Sequence, residues 1–155
     1  MRNVVLSAAM LALFAVPLFA DATADAKKHE EAFAAAFNAN DAKAILAMYA
    51  DDARVVWPGT GEEGKGKAAI AKLIDAMMKM NSGATLALKS IEAIPLGDGY
   101  IATVCHWVET VKGADGKTET YQIRSTELLR KAGGKTRYVV DHASIGLPPP
   151  PDTAH

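Results

Sequence analysis

Apolar residues in the first half of the chain recur with the period of a helix. Ala26, His29, Phe33, Ala36 and Phe37 share one stripe, which predicts a helix over 26–37. Asp41 is a favourable N-cap for a second helix that ends near residue 52, and a third helix is predicted over 67–80. A short strand over 54–57 is expected between the second and third helices.

The second half of the chain changes to a period of two. This alternation predicts strands, and the segments between them are rich in Gly, Asp and Pro, which favour tight turns. The predicted strands cover residues 85–94, 100–112, 117–130 and 136–145. Helices first and a consecutive antiparallel meander afterwards indicate an α+β domain.

The N-terminus has the layout of a secretory signal peptide. Arg2 precedes a mostly apolar run over 4–16, and small residues surround a cleavage point after Ala22. The apolar run is shorter than the roughly 20 residues that a membrane-spanning helix needs. We therefore predict a signal peptide over 1–22, a folded domain over 23–147 and a proline-rich tail over 148–155. The mature protein is expected to be periplasmic or secreted, without a membrane anchor.

Composition excludes several classes of function. The chain has 155 residues, of which 17 are basic and 18 acidic, so no charge excess points to nucleic acid. Cys105 is the single cysteine and is expected to be a small buried hydrophobic residue. The four histidines show no ligand spacing typical of a metal site. Neither a metal nor a cofactor is predicted.

The segment DHAS in the last predicted strand superficially suggests a catalytic triad. Asp141 and His142 are adjacent, however, so a regular strand directs their side chains to opposite faces of the sheet. Ser144 shares the face of His142 but lacks the sharp turn that exposes a nucleophile. A local triad is therefore rejected, and Asp141 is expected to face away from His142.

Polar side chains on alternating positions of the predicted strands suggest a different site. If the faces that carry His106, Arg124 and His142 converge, they form a pocket with hydrogen-bond donors over an apolar floor. The alternative is that each is a surface or structural residue, with Arg124 paired to Glu109 or Glu127 across strands. The choice depends on the register of the strands.

Three segments resemble the nuclear transport factor 2-like superfamily, and in particular its SnoaL-like and ketosteroid isomerase-like domains. They are NANDAKAILAMYADDARVVWPG, GKGKAAIAKLI and YVVDHASI, and the resemblance covers about residues 27–147. It implies three N-terminal helices packed in a strongly curved, mostly antiparallel sheet that forms a cone with a pocket. It also implies a homodimer formed through the sheet.

The residues that stand at the family's catalytic positions argue against the steroid isomerase mechanism. Carried over by spacing, the position of the catalytic base falls on Trp57, that of the oxyanion-hole tyrosine on Phe33, and that of the second acid near Thr126. None of these side chains supplies the required group. The side chains expected to line the pocket and contact a ligand are Phe33, Phe37, Tyr49, Trp57, His106, Arg124, Thr126, His142 and Ser144.

Three hypotheses about function follow. The first is an exported binding protein for a small organic molecule that is apolar or carries a carboxylate or carbonyl group, since Arg124 would suit a carboxylate. The second is an isomerase, hydratase, cyclase or hydrolase in which His106 or His142 acts as general acid or base. The third is a dimerisation or protein-interaction module.

Overall fold

The computed structural model describes residues 15–58, 62–80, 83–113 and 115–146, with side chains from residue 21 onward. Most of the predicted signal peptide and the predicted proline-rich tail lie outside the described residues. The elements, in chain order, are α1 Ala15–Asn38, α2 Ala42–Ala47, β1 Tyr49–Val56, β2 Glu63–Lys65, α3 Gly66–Met80, β3 Thr85–Gly97, β4 Tyr100–Lys112, β5 Thr118–Ala132 and β6 Lys135–Ile145.

The second helix is shorter than its apolar period predicts. Its start is as expected, because the Asp41 carboxylate accepts a hydrogen bond from the Ala44 backbone N–H at 2.9 Å. The prediction that it continues to about residue 52 is wrong, since the chain leaves the helix at Met48 and Tyr49 begins strand β1. Tyr49 pairs with Tyr138 in β6, and this long-range pairing overrides the local helical preference.

Within the residues that the structure describes, six strands form one curved, open sheet in the order β2-β1-β6-β5-β4-β3. All neighbouring strands are antiparallel except β1 and β6, which are parallel. The four strands of the meander lie where the sequence predicts them, within a few residues at each end. Strand β2 lies in a segment for which the sequence predicted neither a helix nor a strand. The α+β fold class is therefore confirmed.

The hydrophobic core lies between the helices and one face of the sheet, which we call the inner face. Phe33 of α1 packs edge-on against Trp107 of β4 and Tyr138 of β6, with ring centroids 6.2 and 5.9 Å apart. Ile70 and Ile74 bury the apolar side of α3 in the same core. The opposite side of the sheet, the outer face, is not covered by any helix in the described part of the chain.

A β-bulge in β6 changes which side chains reach the inner face. Leu129 of β5 pairs with Tyr138, whereas the preceding residue Leu128 pairs with Val140, so Val139 is the extra residue. Tyr138 and Asp141 are both buried although they are three positions apart. Strict alternation would have put these two side chains on opposite faces.

Candidate functional site

A cavity of about 400 Å³ opens between the helices and the inner face of the sheet. Aromatic and aliphatic side chains form most of its wall, among them Phe33 and Phe37 of α1, Trp57 after β1, and Trp107 of β4. Its volume falls in the range of pockets that hold small organic molecules.

The charged groups that line this cavity are all acidic. They are the carboxyl groups of Glu30, Glu62, Glu109, Glu127 and Asp141. Within the described residues, no lysine, arginine or histidine contributes to the lining. The cavity therefore has a negative potential whenever its carboxyl groups are ionised.

Asp141 is held in place by two donors from β1 and the segment that follows it. The Tyr49 hydroxyl donates to Asp141 Oδ2 at 2.5 Å, and the Trp57 Nε1–H donates to the same oxygen at 2.9 Å. Burial raises the pKa of Asp141, and these two hydrogen bonds oppose the rise because they favour the carboxylate. The side chain is 6% exposed, so a molecule in the cavity would meet a fixed and weakly hydrated carboxyl group.

Glu127 is a second buried carboxyl group on the inner face, one strand away. The Thr103 hydroxyl donates to Glu127 Oε2 across the β4–β5 pair. Burial raises the pKa of Glu127 to about 7, an effect that hydrogen bonds from Ser125 and Thr103 oppose and the charge of Asp141 reinforces. At neutral pH this group is therefore close to half protonated, and it can give or take a proton.

Glu30 is the third buried carboxyl group, and it comes from the helix rather than the sheet. The Tyr138 hydroxyl donates to Glu30 Oε2, whereas Glu30 Oε1 has no hydrogen-bond partner among the described residues. Burial, and next the charge of Glu127, raise the pKa of Glu30 well above its ordinary value. The adjacent His29 is neutral at pH 7, because burial lowers its pKa to about 4.

The structure separates the nine residues proposed from the sequence into two groups. Phe33, Phe37 and Trp57 line the cavity, and Tyr49 is fully buried behind it, where it contacts Asp141. Whether these four contact a ligand stays a prediction. The other five have exposed side chains on the outer face and do not line the cavity; they are His106, Arg124, Thr126, His142 and Ser144.

The expectation that His106, Arg124 and His142 converge on the pocket is therefore wrong. They do lie near one another, since His106 pairs with Arg124 and the neighbouring row pairs Thr126 with His142. Their common face is the outer one, because the neighbouring positions carry the side chains that fill the core. Asp141, expected to point away from the pocket, lines it.

Four functional side chains escaped the sequence analysis, although two left a signal. Glu30 lies on the apolar stripe of α1, four positions after Ala26 and three before Phe33, where a charged residue is unusual. Glu127 follows Thr126, the position to which the second acid of the steroid isomerases was assigned, and it faces inward. Tyr138 and Asp141 gave no such signal, because the bulge between them is not visible in the sequence.

Comparison with known proteins agrees with this architecture. The structure resembles an uncharacterised protein with a cystatin-like fold from Caulobacter vibrioides, at 21% identity and a TM-score of 0.70, over 83% of this chain and 92% of that one. It also resembles an NTF2-like protein from Streptomyces avermitilis, described as a candidate dehydratase, at 15% identity and a TM-score of 0.74, over 84% and 99% of the two chains.

A third similar structure is a ketosteroid isomerase-like protein from Erwinia carotovora atroseptica. Its identity is 24% and its TM-score 0.66, over 81% of this chain and 96% of that one. No curated protein matches the sequence. These neighbours show that the chain has the cystatin-like fold of NTF2-like proteins. Residues 31–139 match the sequence profile of the SnoaL-like domain, and the chain belongs to that family.

Proposed function

We propose that this SnoaL-like domain binds a small, largely apolar organic molecule that is neutral or positively charged. The observation that carries the proposal is the set of cavity-lining ionisable groups, which includes five carboxyl groups and no basic side chain within the described residues. A carboxylate ligand, expected when Arg124 was assigned to the pocket, loses its partner because Arg124 lies on the outer face.

Neutral or cationic ligands are favoured because an anion placed beside carboxylates in a weakly hydrated cavity is repelled. An anion beside Asp141 and Glu127 would meet carboxylates of like charge, and no basic side chain among the described lining residues would compensate them. A carbonyl or hydroxyl group could accept a hydrogen bond from a protonated carboxyl group, and an amine could pair with an ionised one. The aromatic walls would bury the apolar remainder of such a molecule.

A matched series of ligands tests this proposal. Compounds with one naphthalene ring that carry a carboxylate, a hydroxyl or an aminomethyl group differ mainly in charge. We expect the hydroxyl and amine compounds to raise the melting temperature at pH 7.5 and the carboxylate to have no effect, because only a bound ligand stabilises the folded state. The stabilisation should decrease in Asp141→Asn and persist in Arg124→Ala, which changes the outer face. A carboxylate that binds best, or binding lost in Arg124→Ala, would contradict the proposal.

An acid–base enzyme is a second candidate, and the pKa of Glu127 favours it. A carboxyl group with a pKa of about 7 beside an apolar cavity is suited to proton transfer near neutral pH. His106 and His142, the bases considered from the sequence, cannot serve a molecule in the cavity because they lie on the outer face. For any compound that is turned over, the rate should change with an apparent pKa near 7, and Glu127→Gln should abolish turnover while binding persists.

The outer face supports a homodimer formed through the sheet. Register places Ile94, Ala102, Leu128 and Val140 side by side across four strands, so an apolar row crosses this face. Ile94 and Val140 are 44% and 39% exposed. Such a row is typical of a surface that a partner covers.

Sedimentation equilibrium tests the dimer. The wild-type protein should sediment as a dimer at micromolar concentration, and Val140→Arg should shift it to monomer because two charges would meet across a two-fold interface. Met80→Arg is the matched control, since Met80 is also exposed but lies at the end of α3. A wild-type monomer would exclude this role.

Export to the periplasm or medium is proposed on the signal-like N-terminus. Cleavage after Ala22 would leave residues 23–38 of helix α1, which keep the buried core residues from Ala26 onward and lose the partly buried Ala22. In the described part of the chain, no helix has the length and hydrophobicity needed to cross a membrane. N-terminal sequencing of the protein from cell fractions tests the cleavage. An intact Met1 in the cytoplasmic fraction would contradict it.

A further inference from the structure

Three buried side chains from three elements, each able to ligate a metal ion, lie together beside the cavity. Glu30 of α1, Cys105 of β4 and Glu127 of β5 each bring one potential ligand atom within 4.8 Å of the other two. Glu30 and Cys105 are fully buried, and Glu127 is 4% exposed. The sequence showed no sign of this cluster, because 75 residues separate Glu30 from Cys105.

One oxygen in this cluster has no hydrogen-bond partner. Glu30 Oε2 accepts the Tyr138 hydroxyl, but Glu30 Oε1, on a fully buried side chain, accepts nothing among the described residues. A buried carboxyl oxygen without a donor is unfavourable, and natural structures rarely leave one. A proton on this carboxyl group or a cation beside it would satisfy the oxygen, and the ligand atoms of Cys105 and Glu127 lie within 4.8 Å of the carboxyl group.

Two hydroxyl groups orient the carboxyl groups of Glu30 and Glu127 by hydrogen bonds. Tyr138 donates to one oxygen of Glu30, and Thr103 donates to one oxygen of Glu127. Glu30 is thus oriented through Oε2, and its Oε1 has no hydrogen-bond partner among the described residues. Glu127 also accepts hydrogen bonds from Ser125 and from the Cys105 thiol, so the thiol already lies beside this carboxyl group. Donors that orient ligating carboxylates in this way are a regular feature of metal sites.

The distances allow a single small cation to contact all three groups. Zinc bonds sulfur at about 2.3 Å and carboxylate oxygen at about 2.0–2.2 Å, so donors around one tetrahedral zinc lie about 3.6 Å apart. The three ligand atoms would have to approach one another by at most about 1 Å, because they already lie within 4.8 Å. Rotation of the glutamate side chains can supply a movement of that size.

We propose that Glu30, Cys105 and Glu127 bind one divalent cation of borderline softness, such as Zn²⁺. A thiolate among the donors selects such a cation over Mg²⁺ or Ca²⁺, which prefer oxygen ligands alone. Binding displaces the thiol proton of Cys105 and any carboxyl protons to solvent, and the cation offsets the buried negative charge. Glu30 and Glu127 also line the cavity, so a fourth coordination position would face a molecule bound there.

Co²⁺ is the probe that distinguishes this site from other cation binding. A cobalt–thiolate bond gives an intense charge-transfer band in the near ultraviolet, and Cys105 is the single cysteine of the chain. Titration of the purified wild-type protein should give this band with saturation at one equivalent, and one equivalent of Zn²⁺ should abolish it. In Cys105→Ser the band should be absent, and in Glu30→Gln the dissociation constant should rise at least tenfold.

Glu109→Gln is the matched control, because Glu109 is a carboxyl group of the same cavity that lies outside the cluster. It should bind cobalt as the wild type does. Circular dichroism of each variant checks folding. Glu30→Gln keeps the side-chain volume, so this variant still tests the site if Cys105→Ser is unstable. The proposal is overturned if folded wild-type protein shows no thiolate band. It is equally overturned if Glu30→Gln binds as tightly as the wild type, or if cobalt binds without the band, which indicates a surface site.

Discussion

Replacement of Glu127 by glutamine should make the protein more stable at high pH. Glutamine has the size of glutamate, and its side-chain oxygen can still accept the Thr103 hydroxyl that now binds Glu127 Oε2. The change removes only the ability to ionise. Because Glu127 is buried and faces the carboxyl groups of Glu30 and Asp141, ionisation is unfavourable in the folded state and the glutamine variant avoids it.

The magnitude follows from the pKa of Glu127 in the two states. Burial raises this pKa from the ordinary value of 4.5, expected in the unfolded chain, to about 7 in the folded protein. Between these values the folded state holds a proton that the unfolded state has released, so the free energy of unfolding falls as the pH rises. At about 1.4 kcal/mol for each pKa unit, the whole loss is about 3 kcal/mol and is complete above pH 7.

Urea denaturation at several pH values, in the presence of a metal chelator, measures this effect. Wild-type and Glu127→Gln proteins should have similar free energies of unfolding at pH 4.5, and the variant should be more stable by about 3 kcal/mol at pH 8. The matched control is Glu92→Gln, since Glu92 is an exposed carboxyl group of strand β3. Its difference from wild type should stay within about 0.5 kcal/mol at both pH values.

An equal difference in stability between wild type and Glu127→Gln at pH 4.5 and at pH 8 would refute the raised pKa of Glu127. Such a result would mean that the carboxyl group is hydrated in solution, so that burial does not raise its pKa. A variant that loses stability at pH 8 would also contradict the argument, because it would show that the ionised carboxylate is favourable in its folded surroundings.

Two further substitutions test the packing of the turns and of the buried acids. Gly99→Ala should destabilise the protein by about 1–3 kcal/mol more than Gly116→Ala in urea denaturation. Both glycines have a positive φ, but only at Gly99 would a β-carbon lie 2.6 Å from a backbone oxygen, that of Lys131; equal losses would exclude the steric cause. Tyr49→Phe removes a donor to Asp141 and should cost about 1–3 kcal/mol at pH 8, and a neutral effect would show that water replaces the hydroxyl.

Most of the architecture could be predicted from the sequence because local patterns determine it. The change of period near residue 85, the turn segments and the N-cap at Asp41 each reflect short-range physics, and the structure follows them. The exception is Tyr49, which looks helical by its spacing from Ile45 but pairs with Tyr138 in the sheet. Pairing between residues so distant in sequence cannot be inferred from either segment alone.

The site was harder to predict, for a reason that two strands illustrate. In β4 the alternation correctly puts His106 and Trp107 on opposite faces, but alternation does not say which face is inside. The face with the polar side chains was predicted to line the pocket, whereas the core takes the face with the larger apolar side chain, Trp107. In β6 the bulge at Val139 removes even the alternation, since regular pairing would put Tyr138 on the face of His142.

The bulge at Val139 determines whether an acidic or a basic side chain of β6 lies on the inner face of the sheet. With the extra residue present, the acid Asp141 reaches the interior and the base His142 reaches the surface. If the same residues paired regularly through Val139, with no residue left unpaired, Tyr138 would stay inside, the imidazole of His142 would lie inside and the carboxylate of Asp141 outside. A one-residue shift of the pairing of β6 is thus a route by which such a domain can exchange an acidic interior for a basic one while its helices and turns remain unchanged.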